Sequence, residues 1–223
     1  MFGKLSVGLD IGSNWIKLVS MQKSGDGGQL KTFGQINTPP GMVENGLINN
    51  SEEVGNELGK LAEQLKLKGS KVVSALSGQQ VYTRLMTLPV MPIDDMRTAA
   101  LYQSTSFLPI SVDDVTSDIL PVRQFEDDEG KKAEVFFIAA RKTQVENLYQ
   151  TCQIGGLNLT RVEIEALALK TIYQPYLLDD KVYGIINIGA RRSYLSIFQD
   201  NSLVFNRAIS FGYRGSASKI CTG

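Results

Sequence analysis

The stretch GLDIGSNWIKLVSM, residues 8–21, interrupts its own pattern. Apolar residues run into Asp10, the chain crosses Gly12 and Ser13, and apolar residues resume at Trp15, Ile16, Leu18 and Val19. A carboxylate, a glycine and a hydroxyl at the bend of a buried hairpin do little for packing, but they suit an anion. A glycine lets the backbone approach within hydrogen-bonding distance of a phosphate. Successive N–H groups of such a turn form an anion-binding concavity. Ser13 adds a hydroxyl and Lys17 a point charge. Asp10 would be repelled by phosphate directly, so its natural place is on the water shell of a Mg²⁺ ion, which keeps most of its hydration.

The same pattern recurs in GIINIGARRSYLSIF, residues 184–198. With Gly12 set on Gly189, Asp10 meets Asn187, Ser13 meets Ala190 and Leu18 meets Leu195, a constant offset of 177 (187 − 10). Each copy has a strand, a polar residue, Ile, Gly, a small residue, a tight turn and a second strand. A single DxGS would sooner be read as a plain bend. Two matched copies point to a duplicated phosphate hairpin and to two similar domains facing one another.

The rest of the chain bounds the chemistry. At 223 residues it suits one large or two small domains. Lys plus Arg equals Asp plus Glu at 23 each, so bulk charge gives no argument for nucleic acid. Arg191-Arg192 and Lys131-Lys132 are too short to make a basic patch. The absence of histidine excludes His-based zinc sites and every Ser-His or Cys-His arrangement. The two cysteines, Cys152 and Cys221, form no framework, which fits a reducing compartment. No stretch has the length of a membrane span and the N-terminus lacks a secretory core.

Along the chain, strands are expected over 5–21 and 29–37, joined by a turn at Ser24-Gly25-Asp26-Gly27-Gly28. A helix follows, capped by Asn50 or Ser51, with Val54, Leu58, Leu61 and Leu65 on one stripe. Strands at 71–76 and 81–88 complete an α/β pattern. From Leu88-Pro89 the pattern changes to a helix with the stripe Met96, Ala100, Gln103 and Phe107. A hairpin around Asp127-Asp128-Glu129-Gly130 comes next, then a helix bearing Val145, Leu148 and Cys152 that ends at Gly155-Gly156. After a returning strand, a helix burying Leu167, Leu169 and Ile172 leads to a three-stranded meander with a turn at Asp200-Asn201.

The duplicated hairpin resembles the actin/Hsp70/sugar-kinase superfamily. Four stretches resemble more narrowly the PilM family of type IV pilus assembly, itself related to FtsA: GLDIGSNWIKLV, TPPGMVENGLI, LPVMPIDDMRTAALYQSTSFLPISVDDVTSDILPV and VFFIAARKTQVENLYQTCQIGGLNLTRVEIEALAL. The resemblance covers residues 5–210. It implies an α/β, actin-like (ribonuclease H-like) domain with an inserted α+β subdomain and an incomplete second actin-like domain. The expected boundaries are 1–88 for domain 1A, 89–156 for the inserted subdomain 1C, 157–178 for the return to 1A and 179–223 for a partial domain 2A.

The resemblance further implies ATP and Mg²⁺ held between two domains. Asp10, Gly12, Ser13 and Lys17 would meet phosphate or metal, and Asn187, Gly189 and Ala190 would form the second hairpin. Glu165 would orient water or the hydration shell. The implied partner is the cytoplasmic N-terminal segment of the inner-membrane protein PilN, held in a groove of 1A and 1C, so the protein would be cytoplasmic and peripheral to the inner membrane. Asn187 departs from the usual Asp, and an amide cannot organise a hydrated Mg²⁺ by charge. The tail RGSASKICTG does not continue the family pattern. The expectation is therefore a truncated or frameshifted form, without measurable ATPase activity and with no nucleotide bound as the alternative. Self-association through an exposed C-terminal sheet is expected as the other way to complete that sheet. The competing functions are an ATPase or small-molecule kinase of the superfamily, and a scaffold whose hairpins are relics.

Overall fold

The computed structural model describes residues 5–24, 27–77, 81–128, 130–176 and 181–213. Gly25, Asp26, Glu129 and the tail 214–223, used in the readings above, lie outside the described residues. The chain runs β1 (Leu5–Ile11), β2 (Trp15–Ser24), β3 (Gly27–Asn37), the short β4 (Val43–Glu44) and β5 (Leu47–Ile48), α1 (Ser51–Gln64) and β6 (Lys71–Leu76). It continues through β7 (Val81–Pro89), α2 (Ile93–Ser104), β8 (Val115–Asp127), β9 (Gly130–Arg141), α3 (Lys142–Ile154) and β10 (Asn158–Ile164). It closes with α4 (Glu165–Tyr173), β11 (Tyr183–Ile188), β12 (Ser193–Gln199) and β13 (Ser202–Ile209). Two compact units result: residues 1–78 with 144–165, and residues 79–143 with 166–223.

The first unit is built on a five-stranded sheet in the order β10-β6-β1-β2-β3. β10, β6 and β1 are parallel, and β1, β2 and β3 form an antiparallel meander. Alternation along β2 buries Ile16, Leu18 and Ser20 on one face. α1 covers that face. A Cβ on Gly34 of β3 would touch Leu61 and Leu65 of α1 at 3.1 Å. The helix starts because the Asn50 side chain accepts from the N–H groups of Glu52 and Glu53, both at 3.1 Å, and because those two acids sit at the positive end of its dipole. Val54, Leu58 and Leu61 are buried as expected, with Ala62 beside them.

α3 packs on α1 at close range. A Cβ on Gly55 would lie 2.7 Å from the Ile154 Cβ, and one on Gly155 would lie 2.8 Å from Leu58 Cγ. α3 ends in a left-handed cap at Gly156, with φ of +72°. Leu148 and Cys152 are buried, and burial pushes the Cys152 thiol up to about 12, which leaves it a small hydrophobe. Gln144, not Val145, turns inward; its Nε2 donates to the carbonyls of Gly46 (3.2 Å) and Ser77 (3.1 Å).

In the second unit, β7-β9-β8 form an antiparallel sheet with α2 on one face. Met86, Leu88, Met96, Ala100, Ile119 and Phe137 are among its core. The Phe107 ring meets Phe137 edge-on at 5.9 Å and carries the Arg84 guanidinium above it at 4.5 Å. β9 is buried on consecutive residues, Val135 to Phe137, so it reads as an apolar run and not as an alternation. Outside this core, Arg123 grips Glu134 with two hydrogen bonds of 2.6 and 3.1 Å, and that contact holds the Glu134 carboxyl below its usual range against the opposing effect of burial. β11-β12-β13 form the unit's other antiparallel sheet. Thr83 Oγ1 on β7 donates to the Asn206 carbonyl on β13 (3.3 Å).

Three expectations shift. The boundary drawn at 88/89 falls inside the pairing of β7 with β9, which runs from Val81 to Pro89; the insert's sheet therefore starts with β7, and most of α3 returns to the first unit. In α2 the buried stripe is Met96, Ala100 and Ser104, and Gln103 faces solvent, because the helix keeps an i+4 spacing to its end at Ser104. In α4 only Ala166 is fully buried and Ile172 is 64% exposed.

Candidate functional site

The two hairpins share one construction. In β1–β2 the register places Leu9 opposite Leu18 and Asp10 opposite Lys17. In β11–β12 it places Ile186 opposite Leu195 and Asn187 opposite Tyr194. Each pair is the other displaced by 177 in both strands. The turns match as well. The Gly12 N–H donates to the Trp15 carbonyl (2.9 Å), and the Gly189 N–H donates to the Arg192 carbonyl (2.8 Å). A glycine is required for closeness and not for handedness. Neither has a positive φ, but a Cβ would stand 3.3 Å from the Trp15 oxygen at Gly12 and 2.7 Å from the Arg192 oxygen at Gly189. The glycine N–H groups are thus engaged inside the turns.

The chain after the third strand braces each tip. Thr38 Oγ1 donates to the Gly12 carbonyl (2.7 Å) and the Thr38 N–H to the Asn14 carbonyl (3.0 Å). The Tyr213 N–H donates to the Gly189 carbonyl (3.1 Å), and Ser193 Oγ donates to the Phe211 carbonyl (2.8 Å). Sequence reading missed these braces, because a threonine or tyrosine just past a strand carries no signal of its own.

Asp10 and Lys17 are brought together directly, Nζ to Oδ2 at 2.9 Å, with the Asp10 side chain 62% exposed. Ser13 stands at the same tip. Glu165 follows the end of β10, as Asp10 stands near the end of β1, and β6 lies between those parallel strands. Among the described residues no group of three or more His, Cys, Asp and Glu is placed to bind a metal directly. The first hairpin brings Asp10, Lys17 and Ser13 to one tip, whereas Asn187 and Ala190 give the second neither carboxylate nor hydroxyl.

A separate groove of about 500 Å³ runs in the first unit between α3 and β10. Val145, Tyr149 and Gln153 line one wall, and Leu159, Arg161 and Val162 the other. β10 is the edge of its sheet, so its outer backbone faces this side without a neighbouring strand among the described residues.

The chain is similar to known proteins. Residues 8–222 match the family model described as type IV pilus assembly protein PilM. A solved PilM-PilN type IV pilus biogenesis complex is similar, with 25% identity and a TM-score of 0.87, over 97% of this chain and 64% of that one. The chain thus spans less than two thirds of the length of that relative. The cytoplasmic domain of EpsL, an inner-membrane component of the type II secretion system of Vibrio cholerae, matches at 11% identity and a TM-score of 0.57, over 93% of this chain and 71% of that one. The ethanolamine utilization protein EutJ from Carboxydothermus hydrogenoformans matches at 12% and 0.55, over 99% and 59%. These last two share the fold, which is actin-like with an inserted subdomain. With matched hairpins at both ends and the family pattern running almost the whole length between them, the chain belongs to the PilM family of type IV pilus assembly proteins.

Proposed function

We propose that this protein is a cytoplasmic adaptor of type IV pilus assembly that holds the cytoplasmic N-terminal segment of an inner-membrane partner of the PilN kind, and is thereby kept peripheral to the inner membrane. The observation that carries this reading is the likeness to the solved PilM-PilN complex over 97% of the chain. The groove between α3 and the open edge of β10 supports it. An extended peptide adds to a sheet edge by main-chain pairing and takes its specificity from side-chain pockets, and the β10 edge offers the first while Tyr149 and Val162 offer the second.

ATP with Mg²⁺ is part of the same reading. Ser13 and Lys17 would hold phosphate, and Asp10 would hold the cation through water. When bound, the pair would supply a compact polyanion at the first hairpin tip. A second reading, ATP turnover, rests on Asp10 near the end of β1 and Glu165 just past the end of β10, two strands of one sheet with β6 between them. Asn187 weighs against it, since phosphoryl transfer depends on charge placement on both sides of the phosphate chain.

The test is calorimetric titration of the chain with a synthetic peptide of the partner's cytoplasmic N-terminus. Saturable one-to-one binding is expected. Absence of heat and of any chemical-shift change in the chain would end the adaptor reading. ATP turnover above that of Asp10→Ala would replace it with the second.

A further inference from the structure

The two hairpins agree in register and differ in charge. At the first, Asp10 and Lys17 stand opposite each other and form an ion pair at 2.9 Å, so the site sums to zero. At the second, the equivalent pair is Asn187 opposite Tyr194, which carries no charge. The tips differ in the opposite sense. Ser13-Asn14-Trp15 is neutral, whereas the residues in the same places are Ala190-Arg191-Arg192. The second hairpin has lost its carboxylate and gained two guanidinium groups within three residues of its glycine.

The tip that carries them is held firmly. The Gly189 N–H closes the turn on the Arg192 carbonyl, and Tyr213 and Ser193 tie the segment after β13 to the hairpin. Gly212 lies so close that a Cβ on it would stand 2.4 Å from the Arg191 carbonyl carbon. Arg191 thus projects from a fixed backbone and is exposed, while Arg192 is half-buried.

We infer that Arg191, with Arg192 beside it, is the principal phosphate-gripping group of the second hairpin, and that it lets the chain bind a polyphosphate without a divalent cation. A guanidinium matches two phosphate oxygens with two parallel N–H bonds and is always charged. A carboxylate helps to hold the water shell of a phosphate-bound Mg²⁺ at a protein site, and Asn187 provides none at this hairpin. Fixed cations at the tip take over that neutralisation. The inference rests on the hairpins being phosphate sites.

The experiment is titration of the full chain with inorganic tripolyphosphate and with ATP, once in excess EDTA and once in Mg²⁺. Wild type is expected to bind both in EDTA. Arg191→Ala should weaken binding about tenfold or more, the loss of one charged bidentate contact, with the melting temperature unchanged. Arg191→Lys should recover only part, because the fork is lost. Lys31→Ala, which removes an exposed charge from β3, should have little effect. Equal affinity in wild type and Arg191→Ala, or wild-type binding that needs Mg²⁺, would overturn the inference and leave the phosphate reading standing. No binding by wild type in either buffer would overturn both.

Discussion

At the scale of single residues, α1 gives the sharpest contrast. Gly55 and Gly59 are four apart on one helix face, and both meet the α3 end. A methyl on Gly55 would sit 2.7 Å from both Cβ and Cγ2 of Ile154 and 3.1 Å from the Thr151 carbonyl, none of them a flexible chain end. A methyl on Gly59 would find Gly155 Cα at 3.6 Å, an ordinary contact. Alanine gains about 1 kcal/mol over glycine in a helix interior, while overpacking a core removes about 1–3 kcal/mol. Gly59→Ala is therefore expected to stabilise by about 0.5–1 kcal/mol, and Gly55→Ala to destabilise by about 1 kcal/mol net. Urea midpoints of the two variants measure it, and equal shifts of one sign would contradict the packing described. The sequence shows two glycines in an amphipathic helix, but it cannot show which one α3 leans on. That difference is 0.9 Å of room for a methyl (3.6 − 2.7 Å), set by contacts far along the chain.

At the scale of elements, the duplication supplies its own control. Leu9 and Ile186 hold the same position in the two hairpins, 177 apart, yet Leu9 is 4% exposed and Ile186 65%. α1 covers the face that carries Leu9; in the second sheet the corresponding face, with Ile186 and Ile188, meets solvent. Leu9→Ala should cost about 2–5 kcal/mol. Ile186→Ala should stay within about 0.5 kcal/mol. A loss at Ile186 close to that at Leu9, growing with protein concentration, would mean that a second copy covers the face, which is the proposed self-association. The hairpins and their register were legible in the sequence because a period of two and a matched glycine leave little freedom. The buried stripes of α2 and α4 were not. Gln103 and Ile172 point outward because those helices each bury a narrow face, and how narrow depends on what lies against them.

At the scale of the whole molecule, the family pattern was legible end to end, and the division into units was not. The boundary fell seven residues inside β7 (88 against Val81), because Val81 to Leu88 reads as a strand equally well in either sheet, and only its partner β9 decides. The α3–β10 groove was equally hidden, since neither of its walls is unusual in composition. Its position makes the last expectation specific. Among the described residues the groove and the first hairpin tip share no side chain, so peptide and nucleotide binding should separate by mutation. Tyr149, 48% exposed on the groove wall, is the kind of aromatic anchor that carries interface energy. Tyr149→Ala should weaken the partner peptide about tenfold and leave polyphosphate affinity as it is. Asp10→Asn should remove any strengthening of ATP binding by Mg²⁺ and leave the peptide affinity as it is. Paired titrations on both variants decide it. If each substitution weakens both ligands, the groove is not the peptide seat and the two sites are one; if Tyr149→Ala changes neither, the peptide lies elsewhere, and the open edge of β10 is only an edge.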